Sequence, residues 1–141
     1  MHNWFLSKVT YEKTMENGLQ KNVTEQYLVD ALSCTEAEAR TIEELQPFMS
    51  GEFKVKSVSE AKLSDTFFGN GDRYYKAKIN MITLDEKSGQ EKKQGLYVLI
   101  QANNFDESLT KLKDGMKNSM ADYEIASITE TAIMDVFEFN A

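Results

Sequence analysis

The order of apolar and polar positions is the most informative feature of this chain. Trp4 to Glu12 is rich in aromatic and β-branched residues and predicts a strand. Met15-Glu16-Asn17-Gly18 follows, and Asn-Gly predicts a tight hairpin, because both central residues of a type I′ turn need positive φ. Gln20 to Ala31 then predicts a returning strand. Thr35 with Glu38 three residues on reads as a capping box opening a helix, whose apolar stripe is Ala39, Ile42 and Leu45. Pro47 ends or distorts that helix, and Gly51 lies just past its last turn. Phe53-Lys54-Val55-Lys56 alternates like a half-buried strand. The spacing slips at Ser57-Val58, which suggests a bulge, and extended chain resumes toward Phe67-Phe68.

Gly69-Asn70-Gly71-Asp72 is the natural joint, and after it the same order returns. Tyr74 to Leu84 and Glu91 to Ala102 predict strands around a turn at Asp85–Gly89. Asn104 or Asp106 caps a second helix with the stripe Leu109, Leu112, Met116 and Met120. Tyr123 to Ile128 and Ile133 to Phe139 close the chain as extended segments. Shifted by 70 residues, the chain superposes Trp4 on Tyr74, Phe5 on Tyr75, Tyr27 on Tyr97, Ile42 on Leu112, Val55 on Ile125, Asp65 on Asp135 and Phe67 on Phe137. Few of these are identities; the agreement lies in element order and apolar positions. The fold class expected is α+β: duplicated ββαβ units forming antiparallel sheet or sheets with two packed helices in a pseudo-twofold arrangement. One domain is expected over residues 1–141, with repeat 1 at 1–68, a turn at 69–73 and repeat 2 at 74–141. One ββαβ unit of this size cannot bury both its helix and its sheet face alone, which is why two copies are needed.

Composition narrows the function classes. The 141 residues are 41% hydrophobic and 28% charged, which suits a folded domain and excludes a disordered tail. No apolar run approaches membrane-spanning length, and the first residues lack the basic-then-apolar order of a secretory signal. The lone cysteine, Cys34, forbids an intrachain disulfide, fits a reducing cytoplasm and reads as a small core residue. The net charge of −7 and the lack of a Lys/Arg cluster argue against duplex binding. Lys92-Lys93 sits among acidic residues and reads as a solvated hairpin tip.

Several stretches resemble a known bacterial family. They include Tyr11-Glu12-Lys13-Thr14, Tyr27-Leu28-Val29-Asp30-Ala31-Leu32, Thr35-Glu36-Ala37-Glu38-Ala39-Arg40, Ser50-Gly51-Glu52-Phe53, Gly71-Asp72-Arg73, Ile82-Thr83-Leu84-Asp85-Glu86-Lys87-Ser88-Gly89 and Ile133-Met134-Asp135-Val136-Phe137. Together these resemble domain of unknown function 4494, a family of Bacteroides-type gut bacteria, their phages and mobile elements. The resemblance implies a cytoplasmic bacterial or phage setting and an accessory role in mobile DNA. It brings no assigned activity and no catalytic residues.

Candidate chemistry is sparse. The only histidine, His2, stands at the start of the chain, so neither a histidine-based triad nor a Cys/His zinc site is expected. No cofactor, metal or catalytic residue is predicted. Asp85–Glu91 is too short for a calcium loop, and Gly69-Asn70-Gly71-Asp72 lacks the Lys-Ser/Thr pair and helix of a phosphate loop. Carboxylates alone leave an acid–base enzyme open. Asp65 and Asp135 read as matched strand-end residues. Trp4, Phe5, Tyr74 and Tyr75 lie on the first strands of the two repeats, and adjacent strand residues face opposite ways. One member of each pair is therefore expected outside, where with Lys76 it forms a candidate binding surface. The expectation is a non-catalytic accessory protein acting through a protein partner, with homodimerisation open. The alternatives are single-stranded nucleic-acid binding through those aromatics, or an acidic DNA mimic.

Overall fold

The computed structural model describes residues 3–139. It is a mixed α+β structure of two helices and eight strands in two four-stranded sheets. The strands are β1 (Trp4–Thr14), β2 (Gln20–Asp30), β3 (Phe53–Ala61), β4 (Asp65–Phe67), β5 (Arg73–Leu84), β6 (Glu91–Ala102), β7 (Asp122–Glu130) and β8 (Ile133–Phe137). Helix α1 spans Cys34–Leu45 and α2 spans Phe105–Gly115.

The chain forms two compact units that are not its two sequence halves. One holds residues up to Ala61 together with those from Ala132 on; the other holds Lys62–Thr131. In the first unit the strand order is β3-β1-β2-β8, and in the second it is β4-β6-β5-β7. Each unit is a ββαβ motif to whose three strands a fourth is added from the other half of the sequence. That strand pairs parallel to the second hairpin strand, β8 with β2 and β4 with β6.

The registers repeat between the units. Val9 lies opposite Val55, and Ile79 opposite Ile125. A bulge interrupts each pairing at the same place, between Lys8 and Val9 in the first unit and between Lys78 and Ile79 in the second. Asp135 pairs with Tyr27, and Asp65 with Val98. The repeat is 70 residues for the first, third and fourth strands and 71 for the second strand and the helix. The second hairpin loop, 85–90, is one residue longer than the first, 15–19. Tyr27 therefore matches Val98 rather than Tyr97, which corrects the uniform shift of 70.

The turn chemistry also differs from expectation. Gly18 (φ 84°) and Gly89 (φ 68°) have positive φ, but no non-glycine residue among those described does, so Asn17 does not build a type I′ turn. The loop closes through Gly18 N–H to Met15 O at 2.9 Å and Met15 N–H to Leu19 O at 2.8 Å, with left-handed Gly18 turning the chain into β2.

Each helix covers one sheet face. In the first unit Phe5, Val9, Tyr27, Val29 and Ala31 pack with Ala37 and Leu45 of α1. In the second, Ala77, Ile79, Val98 and Ile100 pack with Leu112 of α2. Each fully buried aliphatic side chain contributes about 1.5–3 kcal/mol. The stripe of α1 is Ala37, Thr41 and Leu45, not Ala39, Ile42 and Leu45. Thr41 is buried because its hydroxyl is satisfied by Ala37 O at 2.7 Å and Ser7 Oγ at 3.1 Å. The cap is Ser33, whose Oγ accepts from Glu36 N–H at 3.1 Å, not Thr35. Asn104 caps α2 in the same way, accepting from Glu107 N–H at 2.8 Å. Met120 lies beyond the end of α2 and is exposed.

Candidate functional site

The aromatics singled out from the sequence do not form an exposed platform. Trp4, Phe5, Tyr74 and Tyr75 are all buried, at 4%, 7%, 6% and 3% exposure. Pairing does put Trp4 and Phe5 on opposite faces, Trp4 across from Asp30 and Phe5 across from Val29. The expectation failed because both faces of each sheet carry buried residues at this end. Lys76 is exposed, with its ammonium 4.6 Å from the centre of the Tyr97 ring, a cation–π contact. Cys34 is exposed at the first turn of α1 rather than in the core, because the buried stripe begins at Ala37. His2 lies outside the described residues. Asp65 and Asp135 are exposed strand-end residues, and each accepts from the next backbone N–H at 2.8 Å. Among the described residues no group of three or more His, Cys, Asp or Glu could hold a metal ion.

The most site-like arrangement was not anticipated. The pairing of Val9 with Glu25, Tyr11 with Val23 and Ser7 with Tyr27 puts Tyr11, Glu25 and Tyr27 on the helix-facing side of the first sheet. Helix α1 ends at Leu45, and Pro47 turns the chain through a short 3-10 segment, Gln46–Phe48. The sheet beyond the helix end is left open there. The resulting cleft has a volume of about 360 Å³. Phe48 and Met49 line it from the helix side, while Met134, Asp135 and Phe137 of β8 line it from the sheet edge. The Phe137 ring stacks on Tyr27, centres 5.3 Å apart and planes 11° apart.

The two phenols share one carboxylate. Tyr27 Oη donates to Glu25 Oε2 at 3.4 Å. Burial first, then the Glu25 charge, hold the Tyr27 phenol far above its ordinary value. Tyr11 is raised as well, chiefly by its hydrogen bond to Glu25. Both shifts favour the protonated phenol.

The second unit shows what the fold alone requires here. Met81, Leu96 and Val98 occupy the positions of Tyr11, Glu25 and Tyr27. An apolar trio suffices there, so the polar trio of the first unit is not a structural necessity. The signal was present in the sequence, but only at a shift of 71, where Glu25 meets Leu96 and Tyr27 meets Val98. A larger, open depression of about 680 Å³ lies along the first hairpin, lined by exposed residues such as Glu12, Asn22 and Lys54. Apart from Tyr11 and Phe53 its lining is polar or glycine, so it offers less of the apolar wall that fixes a ligand.

No curated protein and no solved structure matches the chain. A family model does, over residues 3–139, described as Domain of unknown function (DUF4494). The chain therefore belongs to that family.

Proposed function

We propose that this protein is a non-catalytic binding module that engages a protein partner through the cleft at the end of α1. The observation that carries the reading is the pairing of exposed apolar side chains with a polar floor. Phe48 is 83% exposed and Met134 57% exposed, and both line the cleft that holds Glu25 and its two phenols. Large apolar side chains in the open beside oriented polar groups are a feature of contact surfaces. Proton-transfer catalysis is disfavoured by the same geometry, since a catalytic acid or base works best with a pKa near the operating pH and both phenols are pushed upward. The setting we propose is the cytoplasm of a Bacteroides-type bacterium or its phage, in keeping with the family resemblance. Stacking of single-stranded bases has less support, because its four aromatics are buried and the net charge is −7.

The test is photo-crosslinking in cells with p-benzoylphenylalanine placed at position 48, and at Leu84 in the second hairpin as control. A discrete adduct from position 48 that disappears with Met134→Asp and is absent from position 84 is expected. Equal crosslinking from both positions, or none from position 48, overturns the reading.

A further inference from the structure

Four features of the cleft define the chemistry of what enters it. Its charged lining groups are carboxylates, Glu25 and Asp135, and among the described residues no Lys, Arg or His lines it. Among the described residues neither carboxylate forms an ion pair. Its apolar walls are mainly aromatic rings and thioethers: Phe48, Phe137 and the two tyrosines, with Met49 and Met134, and Leu45 beside them. Its volume, about 360 Å³, is at the small end of ligand sites and suits one side chain rather than a folded surface.

We propose that the cleft receives an arginine side chain of the protein partner, with the guanidinium on the Glu25–Asp135 side and its flat face against the aromatic wall. This rests on the reading of the cleft as a protein-contact site and names what that site recognises. Charge complementarity selects a cation, because two carboxylates without an internal counter-ion are stabilised by one. The aromatic wall selects a cation that gains from π contact. Arginine is favoured over lysine because its planar fork binds carboxylates through two parallel N–H bonds and stacks on rings, and because it sheds water more readily. The Tyr27 hydroxyl already donates to Glu25 at 3.4 Å, which orients the carboxylate before any ligand arrives. The second unit supplies an internal comparison: with Met81, Leu96 and Val98 at the matching positions, its corresponding surface offers no carboxylate on the hairpin. The specificity therefore belongs to the first unit alone.

The experiment is an NMR titration of the full chain with acetyl-Ala-Arg-Ala-amide and with the same peptide carrying citrulline, a neutral isostere of arginine. The arginine peptide is expected to shift the amides of Glu25, Tyr27 and Asp135. The citrulline peptide is expected to bind at least about tenfold more weakly, as loss of a charge-assisted bidentate contact implies. Glu25→Gln should weaken the arginine peptide by a similar factor while the remaining amide spectrum stays in place. Glu25→Leu, which places at 25 the residue found at the matching position of the second unit, should abolish binding. Equal binding of the two peptides, or arginine binding unchanged in Glu25→Gln, overturns the proposal. So does the absence of any shift in the cleft. The two readings fail separately. A crosslink from position 48 that survives Glu25→Leu undiminished removes the arginine assignment and leaves the protein-contact reading. Arginine binding without any crosslink from position 48 does the reverse.

Discussion

Ser7 and Thr41 meet at the centre of the first unit, both fully buried, where Ala77 and Leu112 meet in the second. The same helix–sheet contact is thus made once by a hydrogen-bonded pair and once by an apolar pair. Thr41→Val should destabilise the first unit by about 1–2 kcal/mol, because it strands the Ser7 hydroxyl. Adding Ser7→Ala should restore a large part of that loss. A double-mutant cycle by urea unfolding measures the coupling. Tyr27 carries a second prediction. In the unfolded chain its phenol ionises near pH ~10, whereas in the fold it is held above that value. Its contribution is whole below about pH 10 and is lost as the pH rises toward the folded value. Unfolding midpoints at pH 9 and pH 11 should differ more in the native chain than in Tyr27→Phe. An equal difference contradicts the assignment.

At the scale of elements, both helices hold the end of the exchanged strand with a cation at the same position. Arg40 Nη2 donates to Glu138 O at 2.9 Å just past β8, with its guanidinium 4.9 Å from the centre of the Phe139 ring. Lys111 Nζ donates to Asn70 O at 2.6 Å and Gln101 O at 2.9 Å, and pairs with Glu107 at 3.1 Å. Among the described residues Arg40 Nη1 is buried with no hydrogen-bond partner, so a lysine there forfeits little. Arg40→Ala should speed amide exchange in β8 and cost about 1–2 kcal/mol; Arg40→Lys should leave both near native. Packing is tighter against β4. A Cβ on Gly115 would come within 2.7 Å of the Phe67 ring, so Gly115→Ala should displace Phe67 and cost about 1–3 kcal/mol in thermal or urea unfolding. Most elements were legible because they rest on local signals: alternation in β1 and β5, dense apolar residues in β6, glycine at both hairpins. The helix faces were not. Thr41 and Ser108 look polar in sequence, yet each is buried by bonding to its own helix, to Ala37 O at 2.7 Å and Phe105 O at 2.6 Å. Counting apolar residues therefore rotated the stripe of α1 away from its true face.

At the scale of the whole molecule, repetition was visible in the sequence but exchange was not. A hydrophobicity pattern reports that Phe67 and Phe137 are extended and partly buried; it does not report which sheet they join. The break at Lys62-Leu63-Ser64 separates β3 from β4, and the chain passes there from one compact unit to the other. This connectivity bears on the cleft, because Glu25 lies near the start of the chain and Asp135 near its end, and β8 alone brings them to one site. The cleft residues were missed for the same reason. Contacts between each unit's own core and the strand it receives from the other half of the sequence are the most direct measurement, read as methyl and aromatic nuclear Overhauser effects in the full chain. The exchange predicts Val29 against Phe137 and Ile100 against Phe67. Val29 against Phe67, with Ile100 against Phe137, means that each half closes on itself and contradicts the account.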